Sequence, residues 1–371
     1  MNRAAWQRVR YIAYKELLHI VRDPQSLFFI LFIPIAEMFL LGFAINTNVR
    51  DVRTVVVDFC NTQESQRLIE QFENSGDFMV VQRCHSEREA HQAIVAGTAQ
   101  VAIMIPADFS RRIEAGDTSP FAVLVDGTVS SIAAESVNVG NAVALRASLE
   151  KVLQGRELPI EARPKVLFNP DTLSANFFLP GLLVVISQMM ATVLSATAIV
   201  REKESGTLEQ FYMTPVRRIE VILGKMIPYV GQTFFEFGLI LLVMRTVFQV
   251  EIHGHLFWLF ALLLPFTLSM LGFGLLISTR ADSREAANQM AMGTIIPSIF
   301  LSGYVFPIDS MPYPFQVIAH AIPTTWLIDA ARGVILRGTD GAMLAHHAVV
   351  LWLMALAVIG VATIRLRKQV V

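Results

Sequence analysis

Six long apolar runs constrain this chain more than any other feature of it. They cover residues 26–45, 177–200, 226–248, 256–278, 289–306 and 346–364. A helix rises about 1.5 Å per residue and the hydrocarbon core of a bilayer is roughly 30 Å thick, so about 20 apolar residues suffice to cross it. Composition agrees: 54% of the 371 residues are hydrophobic and 16% are charged, too apolar a balance for a soluble protein of this size. The expected fold class is a membrane α-helical bundle of six transmembrane helices with an inserted extracytoplasmic α/β domain.

Basic residues set the orientation. Arg3, Arg8, Arg10, Lys15 and Arg22 precede the first run, and Arg201, Lys203, Arg217, Arg218 and Lys225 follow the second. Arg280 and Arg284 follow the fourth, and Arg365, Arg367 and Lys368 the sixth. With alternating spans all of these fall on one side, which the positive-inside rule makes cytoplasmic, both termini included. The N-terminal stretch is charged, and the first run is long and lacks a small-residue cleavage site, so it reads as an uncleaved anchor rather than a signal peptide.

Residues 46–176 are polar enough to fold in water, outside the cytoplasm on this topology. VRTVVVDF, FMVVQRC, AQVAIMIPA and FAVLVDG read as strands, alternating with TQESQRLIEQFENS, SEREAHQAIVAG and FSRRIEAGD as helices, before a long helix over 129–153. That alternation predicts a small α/β domain with a largely parallel or mixed sheet. Cys60 and Cys84 end two of the strands; neighbouring strands would allow a disulfide, and otherwise the two are small buried thiols. Asp58 and Asp126 also end strands, where α/β domains hold ligands and where carboxylates cap the next helix.

The loop after the second run, REKESGTLEQFYMTPVRR over 201–218, is the most informative stretch. Ser205 and Gly206 break the helix, Thr207 and Gln210 match a capping box, and Pro215 stops the new helix after about two turns. Leu208, Phe211 and Tyr212, flanked by Glu202, Glu204, Arg217 and Arg218, suit a protein interface; a solvated turn would carry the same charges. Within residues 1–25, Trp6, Val9, Ala13, Leu17 and Ile20 recur at helical spacing opposite Arg8, Lys15 and Arg22. That pattern fits an amphipathic helix in the membrane interface, or one packed on the loop, before Asp23-Pro24 turns the chain. Residues 307–338, interrupted by Pro307, Pro312, Pro314 and Pro323, read as short re-entrant helices or a packed outer loop.

Glu37 and Glu236 lie near the middle of the first and third runs, and Arg245 lies towards the outer end of the third. Ionisable groups at that depth face protein or a water-filled path. With Phe32 and Phe235 as aromatic walls they are candidates for a route suited to a cationic or amphipathic compound; hydrogen bonding between helices is the other use of such residues. No Gly-x-x-x-x-Gly-Lys-Ser/Thr loop, His-Glu-x-x-His or Gly-x-Ser-x-Gly occurs, so no ATP site, metal site or catalytic residue is expected here.

The pattern Glu-x-Glu-x-Gly-Thr-Leu-Glu-x-x-x-x-Thr-Pro within 201–215 resembles the signature loop of the type-2 ABC transporter permeases. KELLHIVRDP, over 15–24, resembles their elbow helix, and SGYVFPIDSMP and ARGVILRG, within 301–338, resemble the region around their last two spans. The likeness runs the length of the chain. It implies a multidrug-export-like permease of a bacterial inner membrane, moving a small drug-like or lipid-like compound outward. A separate ABC ATPase, carrying ATP and Mg, would dock on Glu202, Glu204, Gly206, Thr207, Leu208, Glu209, Phe211, Tyr212 and Pro215, and this chain would bind no cofactor. A second permease copy, identical or a sister, is implied, and a periplasmic adaptor on the external domain is a further expectation. The rival readings are a mechanotransmission scaffold that moves its external domain without translocating substrate, and a membrane sensor whose α/β domain binds a ligand.

Overall fold

The computed structural model describes residues 3–22, 24–44, 51–128, 130–153, 167–170, 173–204, 206 and 218–368. They fall into two compact units, Met1–Ile45 with Val166–Val371, and Asn46–Lys165.

The larger unit is helical. Four of its helices are long and apolar enough to cross a membrane: α7 (Ser174–Glu204), α8 (Arg218–Thr246), α9 (Leu256–Ser278) and α13 (Gly341–Lys368). The apolar runs expected as first and fifth spans lie in α2 (Pro24–Ala44) and α10 (Arg284–Leu301). A helix that is apolar all round belongs in a core. Accordingly the apolar stretches of α7 and α9 are each 67% buried, against 17% for α13, whose Trp352, Leu353 and Leu356 face outward. Leu183, Phe237, Phe266 and Leu327 are among the fully buried residues at the centre. The region after α10 breaks into short pieces: a 3-10 turn at Ile308–Ser310, α11 (Tyr313–His320), α12 (Pro323–Arg332) and a wide turn over Gly333–Arg337. Pro312 and Pro323 sit at helix starts, where the missing N–H costs nothing. The fifth apolar run was read to 306, but its helix stops at Leu301, with Gly303 at a φ of +80°.

The smaller unit is a four-stranded sheet of order β2-β1-β3-β4, formed by β1 (Val52–Asp58), β2 (Phe78–Cys84), β3 (Val101–Ile105) and β4 (Ala122–Val125). β1 pairs parallel with β2 and β3, while β4 is antiparallel to β3, giving a mixed sheet. One face packs Val56, Ile103 and Ile105 under α3 (Gln63–Glu73) and α6 (Ser130–Leu153), and the other packs Val57 and Ala102 with α4 (Glu87–Val95).

Asp58 is used locally. Its carboxylate accepts from the backbone N–H groups of Cys60 and Asn61 at 2.9 and 3.0 Å and from Ser65 Oγ at 2.6 Å, shaping the turn into α3. Asp126 accepts from the Thr128 N–H at 2.9 Å, and hydrogen bonding to Thr128 holds its carboxyl below the ordinary value.

Of the two alternatives for Cys60 and Cys84, the structure has the unbonded thiols. β1 and β2 are neighbours, but the register slips between Thr54 and Val55, so that Thr54 faces Val80 and Val55 faces Gln82. The extra residue, Val81, is a β-bulge, and everything after it changes face. Phe78 therefore packs on the α3 side while Cys84 packs with Val57 and Ala90 on the α4 side, and Cys60 lies against the α3 side. Both thiols are free. Burial pushes both thiols up, but at Cys60 hydrogen bonding with Ser110 and Thr62 more than reverses this, leaving it below its ordinary value and Cys84 above. In the native protein a maleimide should modify half-buried Cys60 well before Cys84. Peptide mapping of unreduced protein should recover both thiols; a Cys60–Cys84 crosslinked peptide would contradict this register.

Candidate functional site

The last turn of α7 is Arg201-Glu202-Lys203-Glu204, the start of the loop singled out in the sequence. Gly206 lies in the left-handed region at a φ of +66°, and its N–H reaches the Lys203 carbonyl at 3.3 Å, as expected where a helix ends on glycine. The remaining loop residues named for ATPase docking, Thr207, Leu208, Glu209, Phe211, Tyr212 and Pro215, lie outside the described residues, as does the short helix read there.

What the structure describes is the base of this loop, which is held by charges. Lys225, about two turns into α8, places Nζ 2.9 Å from both Glu202 Oε1 and Glu16 Oε1, and 3.3 Å from the Ala198 carbonyl. Lys225, Glu16 and Glu202 are all buried. Tyr229, one turn further along, donates to Glu16 Oε2 at 3.3 Å. Glu16 belongs to α1 (Arg3–Val21), so this cluster ties three helices together on both flanks of the loop. Arg8 adds a two-pronged pair to the buried Glu220 at 2.8 and 2.9 Å, the strongest geometry available to a guanidinium and a carboxylate. α1 lies so near α8 that a Cβ on Gly224 would stand 2.7 Å from Ile12, so only glycine fits the crossing.

Glu202 and Glu204 were expected on the docking rim, and the structure uses them otherwise. Glu202 points inward to Lys225. Glu204 accepts from Arg284 Nε at 2.7 Å and from the Arg284 backbone N–H at 2.9 Å. Lys203 pairs with Asp282 at 2.8 Å, and the Lys203 contact holds that exposed carboxyl below its ordinary value. The end of α7 is thereby fastened to the turn between α9 and α10.

α1 also differs in its facing. Ala5, Val9 and Glu16 are buried, whereas Trp6, Tyr14, Leu17 and Val21 form an exposed stripe at helical spacing. Trp6 and Leu17 thus lie on the outer face, and a glutamate occupies the packed one. Sequence periodicity missed Glu16 and Lys225 because a buried ion pair breaks the apolar pattern that periodicity detects; the lone charges inside otherwise apolar turns were the available signal.

Deeper in the bundle, Glu236 is 1% exposed and neither carboxylate oxygen has a hydrogen-bond partner among the described residues. Glu37 on α2 is half-buried and near enough to act on it electrostatically. Gln232, one turn before Glu236 on the same face of α8, also has an unpartnered amide, and sequence reading did not single it out. The aromatic walls do not join this pair: Phe235 is 65% exposed and Phe32 54%, both turned outward. Arg332 donates to the carbonyls of Gly303 and Tyr304 at 2.9 and 3.2 Å and lies 3.9 Å over the Phe177 ring, holding the start of α7 to the region after α10.

Comparison with known proteins gives the family. The family model described as ABC-2 family transporter protein matches residues 24–364. The probable multidrug ABC transporter permease YbhS of Escherichia coli K12 is 28% identical over 379 residues, covering 98% of both chains. YbhR of the same organism, named likewise, is 26% identical over 90% of this chain and 89% of its own. The linearmycin resistance permease protein LnrN of Bacillus subtilis is 23% identical over 87% of this chain and 90% of its own. With the family model running almost end to end, this multi-pass membrane protein belongs to the ABC-2 family of transporter proteins.

Proposed function

We propose that this chain is the permease subunit of an ABC exporter, driven by a separate ATPase that docks on the loop between α7 and α8. The observation that carries the reading is the buried Glu16–Lys225–Glu202 cluster. A loop that must pass force to membrane helices needs a stiff base, and this cluster closes the base while fixing α1, α7 and α8 to one another. The names of the relatives support a permease, and α2 and α10 complete six spans in this reading. Both termini and the docking loop face the cytoplasm of a bacterial inner membrane, and the α/β unit stands outside. Two permeases, identical or sister chains, join two ATPase subunits carrying ATP and Mg, and an adaptor is proposed for the external unit. The compound moved is small and amphipathic or cationic, attracted by Glu37 and Glu236.

The test is to solubilise native membranes gently, capture this chain and photocrosslink a nucleotide analogue to whatever co-purifies. A labelled ATPase subunit is expected with the wild type and is expected to vanish with L208D/F211D. No labelled subunit in any detergent would sink the reading. Efflux of a labelled cation from liposomes carrying the whole complex then separates an exporter from a mechanotransmission scaffold, which would hydrolyse ATP without moving it.

A further inference from the structure

A groove of about 260 Å³ opens where the end of α9, the first half of α10 and the end of α13 meet. Its walls include Phe273, Leu276, Met290 and Val361, and it is also lined by Arg280 and Arg365. Phe273, Met290 and Val361 are 38%, 37% and 48% exposed, an apolar surface left uncovered by the chain itself. The two arginines stand at the same end of the bundle, because each follows the apolar stretch of its own helix and both reach one groove.

Their neighbours are spoken for and they are not. Lys203 pairs with Asp282 and Arg284 with Glu204, whereas the guanidinium groups of Arg280 and Arg365 have no ion pair or side-chain hydrogen bond among the described residues. Two guanidinium groups unpaired among the described residues, at one end of an apolar groove, suit an anionic head with an apolar tail. The planar fork of arginine suits phosphate oxygens. Phe273 lies seven residues back along α9 from Arg280, about 10 Å deeper.

We infer that this groove binds an anionic phospholipid, with the phosphate between Arg280 and Arg365 and an acyl chain along Phe273, Leu276, Met290 and Val361. The inference rests on the membrane-spanning reading of the bundle and not on the docking loop, so its failure would leave ATPase capture untouched. Each arginine near an anionic headgroup is worth roughly a factor of five, giving the pair roughly twenty-five-fold.

Native mass spectrometry of the full chain in detergent, titrated with phosphatidylglycerol and separately with phosphatidylcholine, tests it. The wild type is expected to retain phosphatidylglycerol roughly twenty-five-fold better. R280Q/R365Q should lose that preference while R280K/R365K keeps most of it, which separates charge from misfolding. Met290→Trp, which fills the groove, should weaken retention without touching either charge. Equal retention of the two lipids by the wild type, or undiminished phosphatidylglycerol on R280Q/R365Q, would overturn the inference. Displacement of the lipid by an equal concentration of inorganic phosphate would show a soluble anion as the occupant and overturn it too.

Discussion

Replacing Lys225 by methionine should lower the stability of the purified protein by about 3–5 kcal/mol, because it takes from the buried Glu16 and Glu202 the ammonium that both of them contact. In a thermal melt of a chain this long, this is a fall of roughly 5 °C. The loss comes from the charges left behind rather than from the bond removed, so E16Q/K225M/E202Q, which removes all three, should recover much of it. Acid gives a second readout. Burial pushes the Glu16 carboxyl up, but the Lys225 ammonium and its hydrogen bond outweigh that, so the group sits below its ordinary value of 4.5. A depressed carboxylate contributes stability that is complete above its ordinary value and is lost as pH falls through the lower, folded-state one. The wild type should therefore lose stability on acidification more steeply than E16Q, and the gap between wild type and K225M should narrow. A K225M protein that melts with the wild type at neutral pH would show that no such buried cluster exists.

How legible this molecule was depends on the range of the interaction involved. Local patterns were readable: the apolar lengths of α7, α8, α9 and α13, the four short strands, and the proline-started helices after α10 all follow from consecutive residues. Contacts between distant residues were not. Lys225 counted only as a marker of topology and Glu202 as a docking charge, since nothing in the sequence near 225 announces a partner at position 16. The packed position of Glu16 on α1 was hidden for the same reason. The cysteine pairing needed one backbone irregularity, the extra residue in β2, that no side-chain pattern encodes. The loop between α7 and α8 illustrates the reverse, as its motif stands out in sequence while only its base is described structurally.

The carboxylate pair inside the bundle gives the other large effect. An ionisable group in apolar surroundings without a hydrogen bond costs several kcal/mol, and such groups in membrane spans serve either a substrate path or packing against a neighbouring helix. On α8, Glu236 and Gln232 present one polar face a turn apart, and Glu37 from α2 lies within electrostatic reach. Hydrogen bonds to a charged group are worth about 1.5–3 kcal/mol each. Converting both acids to amides keeps their shape and removes the charge, so E37Q/E236Q should reduce efflux of a lipophilic cation from proteoliposomes roughly tenfold or more. ATPase capture, which depends on the loop at the other end of α8, should be unchanged, and efflux of a neutral amphipathic compound should fall far less. That divergence between cation and neutral compound is the decisive reading, because a merely structural defect would lower both alike. Equal cation efflux by the double variant would assign the pair to helix packing and leave the route to be sought elsewhere in the bundle.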